Sequence, residues 1–290
     1  MPPEAFPFAG DEQVSAPASK ISPENSRFLI NSLDYIGFGK EFNDRLLKEM
    51  ETGKNVIELS KKFTFSDTKE TLEFTPRFER SQRPDQPAND LWYFFKGYTA
   101  TLENDKDKSI FIPVFQATGP RTEQARDLLH GVEIGYIVKN NKGEESGRYV
   151  RVNFDGTRDE SGRLPLEQVR ADKIDYSIVR ALNRIDFAKP LTSDDLKEMS
   201  GKLFKGIPLS RHIKTRNGTS EPMDLVNKPF DKGILVKNSK GQSYLYKDTL
   251  GISMSAVPEE KKEQLPAQTR KMLESQAEGS SQNNGRKVGR

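Results

Sequence analysis

The stretch Asp90-Leu-Trp-Tyr-Phe-Phe-Lys-Gly-Tyr-Thr-Ala-Thr-Leu102 constrains this chain more than any other. It holds the only Trp and places five aromatics within the seven residues Trp92 to Tyr98. Aromatic and Thr-rich density of this kind predicts a strand. Alternation puts Trp92, Phe94 and Lys96 on one face and Leu91, Tyr93 and Phe95 on the other. A strand apolar on both faces is most simply a central strand, covered on both sides. The alternative leaves one face open to stack unpaired bases, with nearby basic side chains on phosphates.

The rest of the chain is polar: 33% hydrophobic, 31% charged, mean hydropathy −0.76. A core must therefore come from the region between about Phe28 and Leu250, where the apolar residues concentrate. Cysteine is absent, which excludes disulfides, thiolate metal sites and a Cys nucleophile. That composition is compatible with a reducing cytoplasm. No apolar run approaches the roughly 18–20 residues that span a membrane. The opening Met1-Pro-Pro-Glu-Ala-Phe-Pro-Phe8 lacks the basic and apolar regions of a signal peptide. The expectation is a cytoplasmic protein with no membrane partner. Its 46 basic and 43 acidic residues nearly balance, so total charge does not point to nucleic acid.

Residues 1–22, with Pro2, Pro3, Pro7 and Pro17, read as a disordered tail. Ser22-Pro23-Glu24 is a helix start: a cap, a proline suited to the first turn, and an acid at the positive dipole end. Phe28, Leu29, Leu33 and Ile36 follow at helical spacing. Gly37-Phe38-Gly39 breaks that helix, and a second runs from Lys40 to Glu51, giving a helical hairpin. Short strands are expected at Val56–Leu59, Lys62–Phe65 and Thr71–Thr75, then a loop from Arg80 to Asn89. The aromatic strand and Ser109–Phe115 come next. Glu123–His130 reads as a helix capped by Thr122. Glu133–Lys139 and Gly147–Phe154 read as a hairpin turned at Asn140-Asn-Lys-Gly143. An extended polar loop is expected at 155–172 and a helix at Tyr176–Phe187. Thr192-Ser-Asp-Asp195 is a capping box opening a helix through Leu203. A last hairpin joins Gly233–Lys237 to Ser243–Tyr246.

The fold class expected is α+β: an antiparallel meander with short helices and low-complexity ends. Residues 23–172 form one α+β domain, 173–254 a smaller subdomain packed on it, and 255–290 a C-terminal tail. Ile137-Val-Lys-Asn-Asn-Lys-Gly143 echoes Leu235-Val-Lys-Asn-Ser-Lys-Gly241. Either two hairpin turns select the same residues, or two similar subdomains repeat.

Few residues invite chemistry. His130 falls at a helix C-terminus, where the dipole favours a cation, and His212 in a polar turn, Ser210-Arg-His212. No Ser/His/Asp arrangement, phosphate-binding glycine loop or metal-ligand spacing stands out. Asp155 with Asp159-Glu160 is at most a weak cation loop. No cofactor, metal or catalytic residue is expected. What remains is a binding surface: Arg77, Arg80, Arg83 and Lys96 on phosphates, with Tyr98 as a neighbouring ring.

Leu33-Asp-Tyr-Ile-Gly-Phe-Gly39, the aromatic strand, Thr122-Glu-Gln-Ala-Arg-Asp-Leu-Leu-His-Gly131 and Tyr149-Val-Arg-Val-Asn-Phe154 occur in this order. Together they resemble a family of uncharacterised proteins encoded on conjugative and mobilisable elements of the Bacteroidetes. The resemblance covers roughly Asn25 to Gly251. The chain departs from it at Gly97, where a polar side chain is expected, and in a longer Arg77–Ala88 segment. The resemblance implies no activity and no catalytic residues, only a setting near DNA transfer or element maintenance. The expected function is thus a non-enzymatic accessory protein of a mobile element that binds nucleic acid, single strands in preference to duplex. The alternative is a scaffold recruiting a mobile-element protein through its surface and tails.

Overall fold

The computed structural model describes residues 20–82, 90–115, 118–140, 142–215, 218–247 and 252–253. The expectations for the N-terminal tail up to residue 19, for 83–89 and for 255–290 lie outside these residues, Arg83 included. The protein is α+β, and its chain divides into two compact units between Lys173 and Ile174.

In the first unit, β1 (Lys20–Ile21) precedes α1 (Pro23–Ile36). The expected N-terminal tail therefore ends at least two residues early. α1 starts as its sequence dictates: the Ser22 side chain accepts from the Asn25 amide at 3.3 Å, with Pro23 in the first turn. It stops at Gly37, φ +102°. The Gly37 amide donates to Asp34 O and the Phe38 amide to Leu33 O, both at 3.0 Å. This paired closure needs a left-handed residue and seats the next side chain on the helix's last apolar turn. Leu29, Leu33 and Ile36 are buried, whereas Phe28, expected beside them, is 47% exposed. α2 (Asn43–Glu51) completes the helical hairpin, burying Leu46 and Met50.

The main sheet of this unit has β4 (Thr71–Arg80) and β6 (Tyr93–Leu102) at its centre. β2 (Val56–Glu58) and β3 (Lys61–Thr64) both pair with β4, along one edge. β7 (Asp105–Pro113) forms the other, while β5 (Asp90–Leu91) pairs in parallel with β1. Against this sheet pack α1, α2 and α3 (Thr122–Leu129) in one apolar core. Phe38, Phe63, Phe74 and Tyr98 meet there at ring-centroid distances of 5.3–5.9 Å, tilted or edge-on as the ring quadrupoles favour.

β6 is central but not covered on both sides. Its core face switches parity half-way: Tyr93 and Phe95 are buried before Lys96, and Tyr98, Ala100 and Leu102 after Gly97. The cause is a β-bulge. Arg77 sits opposite Gly97 and Phe78 opposite Phe95, leaving Lys96 as the extra residue. One inserted residue turns every later side chain to the opposite face. So the aromatic run that looked two-sided supplies one core face, and Phe94 and Lys96 are exposed on the other.

α3 begins one residue earlier than expected. Thr122 is buried inside it, and the Gln124 side chain accepts from the Arg121 amide at 3.1 Å. The hairpin β8 (Ile134–Lys139) and β9 (Glu145–Val152) forms as read. β10 (Leu166–Arg170) then pairs with β9 where a polar loop was expected. Four of its five side chains are half-buried, so the sequence shows no alternation.

In the second unit, α4 (Ile178–Leu182) is shorter than expected, and α5 (Ser193–Phe204) opens on the foreseen capping box. Thr192 Oγ1 accepts from the Asp195 amide at 3.1 Å while Asp195 accepts from the Thr192 amide at 2.9 Å. Both helices share an apolar core with a five-stranded antiparallel meander: β11 (Leu209–Lys214), β12 (Ser220–Lys228), β13 (Gly233–Asn238), β14 (Ser243–Lys247) and β15 (Ile252–Ser253). In β12, Pro222 and the buried Asn227 interrupt the apolar alternation. His212 is mid-strand in β11, not in a turn.

The echo between the two hairpins has a local explanation. The Asn140 side chain accepts from the amides of Lys142 and Glu144, and Asn238 from those of Lys240 and Gln242. Asp159-Glu-Ser-Gly162 and Thr215 to Gly218 close by the same backbone bonds. Recurrence at unrelated sites favours turn chemistry over an inherited repeat.

Candidate functional site

The expected basic-aromatic face is the outer face of the β2–β4–β6 sheet. Val56, Glu79 and Phe94 lie in one row across the strands, and Glu58, Arg77 and Gly97 in the next. Arg77 pairs with Glu58 at 3.2 Å and Glu79 at 3.0 Å, and Lys96 approaches Glu79 at 3.7 Å. Two cations thus face two carboxylates. Nearby, Lys62 pairs with Glu103 and Lys61 with Glu41. Such pairs contribute little to stability, but they cancel the local field that would gather phosphates.

Arg80 is half-buried, with Nη1 donating to Gly53 O at 3.3 Å. Tyr98 does not reach this face at all. It is fully buried on the core side of the bulge, and its hydroxyl donates to Pro120 O at 2.6 Å. Burial pushes that hydroxyl well above its ordinary pKa. Of the four expected contact residues that are described, Arg77 and Lys96 share the open face, and both meet carboxylates there.

His130 closes α3, and its Nε2 lies 2.8 Å from a Glu70 oxygen. Arg126 sits over the Phe65 ring at 4.8 Å and holds both Asp67 oxygens at 2.9 Å. The hydrogen bond from Arg126 holds the Asp67 carboxyl below its usual range. These contacts fasten the β3–β4 turn to α3, a structural role. Asp159 is absorbed by its own turn and by Arg163. Among the described residues no group of three or more His, Cys, Asp or Glu could hold a metal. No helix among them is long and apolar enough to cross a membrane.

The more distinctive surface was not anticipated. Phe28 and Tyr35 project from the outer side of α1, 47% and 45% exposed, and Ile137 of β8 is 42% exposed. With Asn31, Ser32, Thr118, Lys139 and Glu145 they line a groove of about 560 Å³. It adjoins a second cleft that shares Asn31 and Tyr35 and ends at Gly37, Arg121 and Glu123. There the Arg121 guanidinium lies over the Tyr35 ring at 5.0 Å.

One wall of the groove is an edge strand. Among the described residues β8 pairs only with β9. The hairpin's last backbone bond, Asn140 N–H to Glu144 O at 3.0 Å, sets the alternation. Val138 bonds to β9, and the amides of Ile137 and Lys139 point to the outer edge. Neither has a hydrogen-bond partner among the described residues.

No protein-family model, curated protein or solved structure matches the chain. Its class is what the geometry defines: an α+β protein whose first unit carries an electrically balanced sheet face and an apolar groove beside an open strand edge.

Proposed function

We propose that the chain is an accessory protein that binds a protein partner through the α1–β8 groove. The carrying observation is the convergence of Phe28, Tyr35 and Ile137 around one cleft with an unpaired strand edge in its wall. Singly exposed apolar side chains are common, but a contiguous set rimmed by polar residues marks an interaction surface. An open edge beside an apolar slot suits an extended peptide: backbone bonds give affinity and alternate side chains give specificity. The nucleic-acid reading has less support, because Arg77 and Lys96 face carboxylates and Arg80 is half-buried. The resemblance to mobile-element proteins makes another protein of such an element the candidate partner.

The test is stoichiometric co-purification from the native host after nuclease treatment. Tyr35→Ala and Ile137→Asp are each expected to weaken capture of the partner roughly tenfold or more, as for central interface residues. Arg77→Gln on the sheet face is expected to leave capture intact. Loss with Arg77→Gln and retention with both groove variants would reverse the assignment.

A further inference from the structure

The near-balanced total charge conceals an asymmetry between the two units. Residues 20–173 carry 25 Lys or Arg against 26 Asp or Glu, whereas residues 174–247 carry 14 against eight. A basic excess confined to one unit points to a polyanionic partner. Strand register shows where part of that excess lies. α4 and α5 cover one face of the β11–β15 meander, where Leu225, Ile234 and Val236 are buried. The alternate residues form the opposite face, and their side chains on β12, β13 and β14 are all exposed or half-buried. We propose that this open face of the second unit binds the phosphate backbone of duplex nucleic acid through Lys228, Lys237 and Lys247.

Lys228 and Lys247 flank Gly233 in one row across the sheet, and Lys237 lies four residues along β13 from that glycine. At about 4.8 Å between strands and 3.3 Å per residue, their Cα atoms make a triangle of roughly 10 by 14 by 14 Å. That spread suits several phosphates of one polymer rather than a single small anion. Gly233 sets no side chain between the two lysines of its row, so a backbone can approach closely there. Asp224, opposite Lys237, is the one carboxylate on this face among the described strand residues, and no ion pair joins the two. Lys214, at the edge, is held by Asp186 at 3.1 Å. The adjoining turns add Lys232 and Lys240 against Asp231. Lysines therefore outnumber carboxylates here, whereas Arg77 and Lys96 of the first unit are matched by Glu58 and Glu79.

The rest of the face favours a duplex over other polyanions. Val226, Leu235 and Leu245 form one half-buried row between the lysines, and no Phe, Tyr or Trp stands among the face's described residues. Unpaired bases thus find no such ring to stack on. A membrane finds no fully exposed bulky apolar side chain to take in. Lysine meets phosphate as a point charge, so binding would be largely independent of sequence.

Fluorescence anisotropy of a labelled DNA duplex of about 20 base pairs, titrated with the full chain, tests this. Micromolar binding is expected at low salt, weakening as salt rises. Lys228→Gln/Lys237→Gln/Lys247→Gln is expected to weaken it at least about tenfold, and to make the slope of log affinity on log salt shallower by about 2–3. Lys228→Arg/Lys237→Arg/Lys247→Arg is expected to keep the binding, which separates lost charge from lost fold. Arg77→Gln/Lys96→Gln, on the first unit's sheet, is expected to change nothing. No saturable binding by the native chain, equal affinity in the glutamine variant, or an equal loss in the arginine variant would overturn the proposal. So would tighter attachment of the native chain to phosphatidylserine vesicles than to the duplex, which would assign the face to a membrane. Partner capture through Tyr35 and Ile137 is read separately, so the two readings fail independently.

Discussion

Gly97→Ala is expected to destabilise the first unit by about 3 kcal/mol or more, enough to leave a marginal domain largely unfolded. Gly97 has φ +149°, a conformation that L side chains rarely adopt. A Cβ placed there would lie 2.3 Å from Ile112 O and 2.8 Å from the Phe111 ring. The first contact is with backbone in the neighbouring strand, which cannot move without breaking the β6–β7 pairing. Relief would require undoing the bulge, and that would turn either Tyr93 and Phe95 or Tyr98, Ala100 and Leu102 out of the core. Lys96→Ala, one residue away and exposed, is expected to change stability by less than about 0.5 kcal/mol. Denaturant midpoints of the two variants check this pair. A Gly97→Ala loss below about 1 kcal/mol would show that the bulge is dispensable.

The second large effect is expected at Asn25. This residue is fully buried in the first turn of α1. Its side chain donates to Tyr93 O at 2.8 Å and accepts from the Tyr93 amide at 2.8 Å. It thereby stands in for a neighbouring strand at the start of β6. Asn25→Ala leaves a buried N–H and a buried C=O without partners, at roughly 1–3 kcal/mol each, or about 2–4 kcal/mol in all after partial relaxation. Asn25→Asp keeps the acceptor but sets a carboxylate oxygen against the Tyr93 carbonyl, and is expected to be no better than alanine near neutral pH. Urea unfolding read by Trp92 fluorescence measures both. A loss under about 0.5 kcal/mol for Asn25→Ala would mean that water replaces the side chain.

These two residues mark the boundary of what the sequence discloses. Helix ends were legible where the chemistry is local. Ser22-Pro23, Gly37 and Thr192-Ser-Asp-Asp195 each act within four residues of themselves, and each does what its spacing predicts. The hairpins at Asn140 and Asn238 were legible for the same reason. The bulge was not, because it exists only as a mismatch between β4 and β6. Gly97 stood out merely as a departure from a familiar pattern. Asn25 gave no signal, since a polar residue in a first helical turn is ordinary and its partner lies 68 residues away. The surroundings of the expected site residues were hidden on the same ground. Arg77, Lys96 and Tyr98 are close in space, but the bulge sends Tyr98 to the core, and strand register brings Glu58 and Glu79 to the cations. Phe28 illustrates the converse. Helical spacing grouped it with Leu29 and Leu33, yet one residue of rotation, about 100°, leaves it on the outer side of α1.

Trp92 offers the most direct measurement of whether the first unit's sheet is a nucleic-acid surface. It is the only Trp, half-buried immediately before β6 and two residues from the exposed Phe94. Its fluorescence would report bases stacking on that face. Titration of the full chain with a single-stranded oligonucleotide at low salt is expected to give no saturable change up to micromolar concentrations, as the balanced charges of Arg77, Lys96, Glu58 and Glu79 require. A saturable quench that weakens steeply as salt rises, in the manner of counterion release, would contradict the account and return the sheet face to nucleic acid.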